Sequence, residues 1–256
     1  DATTDSYGPH SYGYPTDLVF PLPEYADSDL ERLLAESTVI HLKDEAGFFD
    51  GSLRLPADFL HRHQKPMVFT HFGGSARQRE SEPLYRSFVL DFDARIAMTP
   101  DLLFPWFNGI YIPHAVDTRN TSNQWHPGRL LCHTPSNPKR HGTRTLQAAV
   151  KLVQRDIDID FDLVHGVKFE ECLERKAQAT LFFDRAGFES SAAHGTSTVI
   201  GWHGNSAIEA AVLGIPTMSH LANWAIDAAT ESRGSVMEQL AIINVKPEVE
   251  SIRERI

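Results

Sequence analysis

The chain has 256 residues, with 24 Lys and Arg against 34 Asp and Glu, 13 His and 2 Cys. Its 41% apolar and 23% charged content excludes wholesale disorder and fibrous repeats, and a net charge of −10 argues against a general nucleic-acid binder. No apolar run nears the ~20 residues that span a bilayer, and Cys132 and Cys172 cannot build a disulfide framework, which predicts a reducing, cytoplasmic setting.

Residues 1–23 show no period and are expected to be irregular. Ser28 and Glu31 have capping-box spacing ahead of Leu30, Leu33 and Leu34, which predicts an amphipathic helix. The β-branched run 38–42 predicts a strand. A helix over 57–63 then leads into a strand over 65–71, closed by Gly73-Gly74-Ser75. A helix near 84–90 and a strand over 94–98 follow. Thr99 and Pro100 have the composition of a helix start, and 110–112 is a further strand. The polar stretch Asp117 to Gly128 is the best linker.

A second series starts after it. Strands are expected over 130–133, 157–163, 180–183 and 215–219, alternating with helices over 143–154, 169–178, 205–213 and 224–240. Such alternation predicts an α/β fold of two Rossmann-like, doubly wound domains, residues 1–122 and 123–256, facing each other across a cleft. Ligands in that architecture bind beyond the carboxyl ends of strands. The loops after His71, His133, Asp184 and Trp202 are therefore the ones that could carry chemistry. Among them, Gly204-Asn205-Ser206 opens a helix whose free N–H groups and dipole would attract an anion, with Asn205 and Ser206 able to cap it. Glu209 lies one turn in, on an otherwise small and apolar helix. A carboxylate there fits two vicinal hydroxyls such as those of a ribose; the plain alternative is a solvated surface residue.

Ser206-Ala207-Ile208-Glu209-Ala210-Ala211-Val212-Leu213-Gly214-Ile215-Pro216 resembles the S-x-x-E-A-x-x-x-G-x-P segment of GT-B glycosyltransferases of the group 1 type. Cys132-His133-Thr134-Pro135-Ser136-Asn137-Pro138-Lys139-Arg140-His141-Gly142-Thr143 is similar to that family's H-x-P-S-N-R-x-x-K-G-T. Met67 to Arg77 resembles its V-V-x-x-H-G-S-D-x-R acceptor-domain segment. Met98 to Leu102 and Tyr111 to Asp117 resemble its T-P-D-L and I-P-N-x-V-D pieces, and Asp184 falls where members carry an Asp-Gln pair. The matches run in order over residues 38–220.

The resemblance implies a GT-B glycosyltransferase acting on a nucleotide-sugar donor, metal-independent and retaining, with no further cofactor. It implies Glu209 on the donor ribose, and Asn205, Ser206 and Gly204 near the phosphates. Lys139, Arg140, His141, His203 and Asp184 complete the donor side. His71 is the expected catalytic imidazole, with Gly74, Ser75 and Arg77 on the side of an unidentified acceptor. Two departures stand out. The family's first glutamate falls on Gly201, which weakens the inference of retention, and its diphosphate-binding Arg and Lys fall on Pro138 and His141. A non-catalytic sugar-nucleotide or glycan binder is the alternative these departures leave open.

Two other classes find less support. Thirteen histidines invite a metal-dependent hydrolase, but only His61 and His63 form a tight pair, and on a helix their side chains would diverge by about 200°. H-E-x-x-H and C-x-x-C spacings are absent, as is the G-x-G-x-x-G dinucleotide fingerprint. The chain opens at Asp1 rather than Met and has too few strands before the linker for a full first domain. An incomplete or minimal transferase is therefore expected.

Overall fold

The structure is a computed structural model that describes residues 27–43, 61–71, 73–114, 125–190, 197–233 and 241–256. The chain divides into two compact units, Asp1–Met98 with Phe104–Ile110, and Thr99–Leu103 with Tyr111–Ile256.

The first unit holds α1 (Asp27–Glu36), β1 (Ile40–Lys43), a 3-10 turn at His61–His63, β2 (Met67–His71), α2 (Gly73–Arg79), α3 (Pro83–Leu90) and β3 (Ala94–Ala97). With β4 (Ile110–Tyr111) the strands form a sheet in the order β1-β2-β3-β4, and β2 runs parallel to both β1 and β3. Alternation along β2 buries Met67 and Phe69, and Phe69 meets Phe88 and Phe92 edge-on and tilted at 5.9 and 5.1 Å. Each such ring removed from water stabilises the unit by about 1.5–3 kcal/mol.

Two expectations change here. Gly73-Gly74-Ser75 does not close the strand as a loop; it opens α2. The helix over 57–63 is a single 3-10 turn in its described part, 57–60 lying outside the described residues. His61 and His63 are drawn to separate carboxylates, Asp91 at 2.8 Å and Glu31 at 3.1 Å, so they do not converge.

The second unit contains a 3-10 turn at Pro100–Leu102, then β5 (Leu130–His133), α4 (Thr143–Val153), β6 (Asp160–Leu163), α5 (Phe169–Ala177) and β7 (Leu181–Phe183). An antiparallel hairpin follows, β8 (Phe188–Ser190) with β9 (Ser197–Val199), and then α6 (Asn205–Val212), β10 (Thr217–Ser219), α7 (Asn223–Arg233), β11 (Ile242–Asn244) and α8 (Val249–Arg253). The five-stranded sheet has the order β11-β10-β7-β5-β6, and its paired strands all run parallel.

The period of two sends alternate residues to opposite faces. Leu131 and Phe183 pack with Leu146, Ala149 and Val150 of α4 and Ile252 of α8. Cys132 and Phe182 pack on the other face with Ala210 and Leu213 beside α6. Both faces are covered, so this unit is doubly wound. The hairpin and β11 were not predicted, and the helix expected over 224–240 runs to Arg233 in its described part. Most of the expected linker, residues 117–124 of 117–128, lies outside the described residues.

Candidate functional site

Strand order reverses at β5. The chain steps from β5 to β6 on one side, then returns past β5 to β7 on the other. In an open parallel sheet the crevice beyond the carboxyl ends of two such strands is where ligands bind. Here it lies between the loop after His133 and the loop after Phe183.

Those loops touch through backbone. Gly142 has φ +76°, and a Cβ on it would stand 2.2 Å from the Ala186 carbonyl oxygen; a Cβ on Gly187 would stand 2.2 Å from the Arg140 carbonyl oxygen. Ala186 N–H donates to the His141 carbonyl at 3.3 Å. The Asn137 side chain accepts from the N–H groups of Lys139 and Arg140 at 3.1 and 3.4 Å, folding the first loop into a turn. Lys139 is left exposed.

Asp184 is the polar centre. Its Oδ2 accepts from Gly204 N–H at 2.7 Å and from the Ser219 hydroxyl at 3.0 Å, with Arg185 Nε at 3.3 Å. Burial pushes its carboxyl up, but the Arg185 charge, the Gly204 N–H and the His141 and His203 imidazoles outweigh burial and hold it below the ordinary carboxylate range. The Arg185 guanidinium lies over Gly204, where a Cβ would come within 1.7 Å of Nη2. Asp184 Oδ1 and His203 Nε2 are buried without a hydrogen-bond partner among the described residues. Burial lowers the His203 pKa against the opposing pull of Asp184, and desolvation with the Arg185 charge pushes His141 down to about 3.

The first turn of α6 starts from Gly204, and no side chain caps it. The expected capping by Asn205 and Ser206 is not made. Asn205 is exposed, and Ser206 Oγ instead meets Thr134 Oγ1 at 2.8 Å and accepts from Lys176 Nζ at 2.8 Å. The same ammonium donates to Glu209 Oε2 at 2.6 Å. Glu209 is thus not a free surface residue; partly exposed, it is half of an ion pair with a fully buried lysine.

Gly201 is locked by its neighbours. A Cβ there would meet Trp224 at 2.9 Å and Ala222 at 3.0 Å, and its N–H donates to Asp101 Oδ2 at 3.3 Å. A glutamate at this position would need the half-exposed Trp224 ring to shift.

Two other strand-end histidines are fully buried. His133 contacts the Phe183 carbonyl at 2.9 Å and Thr143 Oγ1 at 2.8 Å, and burial pushes its pKa down to about 4. His71 is fully buried in the first unit, stacked on Phe107 at 4.0 Å and ringed by Phe69, Tyr85, Phe104 and Trp106. Gly74, Ser75 and Arg77 stand on α2. An open groove of about 800 Å³ lies beyond β10 and β11, lined by His220, Lys246, Glu248 and Arg255 among others. It adjoins the crevice side of the sheet, since β10 is the neighbour of β7. The Asn244 side chain there is engaged in both directions with the Leu221 backbone.

Sequence reasoning missed Lys176 and Arg185. Lys176 looked like a cation in the last turn of a helix, where the dipole favours one. Its stripe position, three and four residues from Leu173 and Cys172 and seven from Phe169, is the signal that it points inward. Arg185 carried no such signal.

Among the described residues, no group of three or more His, Cys, Asp and Glu could hold a metal ion, and no helix is long and apolar enough to cross a membrane. No protein-family model matches the chain, and no curated protein matches it significantly. Solved structures do. The chain is similar to the crystal structure of TarM, with a TM-score of 0.55 and 12% identity over 89% of this chain and 49% of that one. It is also similar to a structure of accessory secretory protein 1, 2 and 3 in Streptococcus pneumoniae, with a TM-score of 0.42 and 12% identity, covering 81% of this chain and 48% of that one. The chain therefore spans about half the length of these neighbours. What it shares with TarM is a Rossmann-like α/β fold.

Proposed function

We propose that the chain is a glycosyltransferase of the GT-B type whose nucleotide-sugar donor binds beyond β5 and β7. The observation that carries this reading is one corner of the second unit. There Asp184 holds Gly204 N–H at 2.7 Å and Arg185 lies against the start of α6. A diphosphate leaving group needs a cation and amide donors as the glycosidic bond breaks; with Gly204 N–H held by Asp184, the Arg185 guanidinium and the first N–H groups of the uncapped α6 are the ones to supply them, without a resident metal. The fold shared with TarM, a glycosyltransferase, points the same way. Glu209 stands one turn into the same helix and is assigned to the ribose. Exposed Lys139 and neighbouring Arg140 assist at the phosphates, and the group 1 resemblance favours retention of anomeric configuration. Free Cys132 and Cys172 fit a cytoplasmic setting.

A second reading, a non-catalytic sugar-nucleotide or glycan binder, is favoured by the enclosure of His71, which leaves the expected catalytic imidazole no exposed surface. Calorimetry with UDP-, GDP- and ADP-sugars tests the donor site. One of them binds, and Arg185→Ala weakens it by about tenfold, the loss expected when a charge-assisted hydrogen bond is removed. If none binds, the donor reading is wrong. Release of free sugar or transfer by the protein with the binding donor then separates enzyme from binder.

A further inference from the structure

Lys176 ends α5 with its ammonium inside the protein. The side chain is 0% exposed, and its three N–H groups meet three acceptors: Glu209 Oε2 at 2.6 Å, Ser206 Oγ at 2.8 Å and the Ser206 carbonyl at 3.3 Å. Its Nζ also stands 4.9 Å from the centre of the Phe182 ring. The surroundings are apolar, with Cys132, Val164, Ala179, Phe182 and Ala210 in one buried cluster. A charge placed there gains little over a well-packed apolar side chain, because desolvation offsets most of the attraction. Packing α5 against α6 does not require an ammonium.

The two partners differ in exposure. Lys176 is sealed, whereas the Glu209 side chain keeps 18% of its surface. Oε2 faces the lysine, and Oε1 makes no hydrogen bond among the described residues. A carboxylate free to turn offers both oxygens equally to a pair of vicinal hydroxyls. One pinned by an ammonium offers mainly the other oxygen.

We propose that Lys176 is the positioning residue of the donor site: by holding Oε2 it presents Glu209 Oε1 alone, so that the carboxylate takes one ribose hydroxyl rather than both. This rests on the donor reading above. Lys176 does not touch the nucleotide; it acts through the orientation of Glu209 and through Ser206, whose hydroxyl ties the start of α6 to Thr134.

The test compares the nucleoside diphosphate that binds best among UDP, GDP and ADP with its 2′-deoxy and 3′-deoxy forms. In the unmodified protein one deoxy form binds about tenfold more weakly and the other within about twofold of the parent. Glu209→Gln lowers parent affinity and shrinks that difference. In Lys176→Met the carboxylate turns freely, and the two deoxy forms come within about twofold of each other. A lysine that only supported the fold would weaken all three nucleotides by one factor and leave their ratios unchanged, which overturns the proposal. Equal losses for both deoxy forms in the unmodified protein overturn it as well. Should Lys176→Met lose its circular-dichroism signature of folding, the unmodified protein and Glu209→Gln still decide. If no nucleoside diphosphate binds the unmodified protein, the donor reading fails and this assignment falls with it.

Discussion

Two parallel strands, β2 in the first unit and β7 in the second, end in very different surroundings. At the end of β2, His71 is stacked on Phe107 and enclosed by four further rings. Beyond β7, Asp184 is bonded to a backbone amide and a hydroxyl, beside an arginine and two imidazoles whose pKa values lie below normal. The glycines differ in the same sense. Gly73, just past β2, has φ +64° with nothing within 4 Å of an added Cβ, whereas Gly142 has φ +76° and meets the Ala186 backbone at 2.2 Å. A parallel strand end is thus only an opportunity. It becomes a candidate site where loops close on each other through backbone and leave charged groups to be compensated, and it becomes core where aromatic side chains reach it first.

The sharpest way to break this contrast is Gly142→Ala. The left-handed conformation costs a β-carbon about 1–2 kcal/mol, and the collision with backbone adds to it because neither loop can yield without the other. A loss of about 4 kcal/mol in urea denaturation is expected, with the crevice disrupted. Gly73→Ala shares the strain without the collision and should cost about 1 kcal/mol. Equal losses at the two glycines would show that the close approach has no energetic weight.

Next in size is Glu209→Ala. It leaves the Lys176 ammonium buried without its counter-ion, and breaking such a pair costs about 3 kcal/mol. Lys176→Met should cost clearly less, because the orphaned carboxylate is partly exposed and can be hydrated. The order of the two urea midpoints checks this asymmetry, and the reverse order would mean that the lysine finds another partner.

Much of the second unit was legible because its signals are local. The stripe Leu146, Ala149, Val150 and Val153 predicted α4, and all four are buried. The run ending at His133 predicted β5, and alternation predicted β6, although that strand begins only at Asp160. The β8–β9 hairpin was not legible, because Phe188 to Val199 is mostly small and polar residues with no apolar alternation to mark two strands. Gly73-Gly74 read as a stop, yet Gly73 takes a left-handed φ of +64° at the very start of α2. At the candidate site, Asp184, Ser206 and Glu209 were visible as types at telling positions. Their partners were not. Lys176 lies 33 residues from Glu209 in sequence, and only the packing of α5 on α6 brings the two together. The enclosure of His71 likewise depends on Phe104, Trp106 and Phe107, which follow it by more than thirty residues.

A further effect, smaller than the losses at Gly142 and Glu209, is in pH dependence, and it probes the crevice through His133 at the end of β5. Its folded pKa of about 4 lies below the ordinary 6.5, so the unfolded chain binds the proton more readily. Between those values the unfolded state carries more protons, and stability rises with pH. The contribution is complete above about pH 6.5 and is lost progressively as pH falls toward 4. One pKa unit corresponds to about 1.4 kcal/mol, so lowering the pH from 6.5 to 5 should remove about 2 kcal/mol through this imidazole. His133→Asn deletes the titration while keeping polar atoms near Thr143 and the Phe183 carbonyl. Urea midpoints at pH 7.5 and 5.0 should therefore differ less in the variant than in the unmodified protein, by about that amount. An unchanged difference would mean that the imidazole is already charged at the strand end, and that the crevice beside Asp184 is wetter than its burial implies.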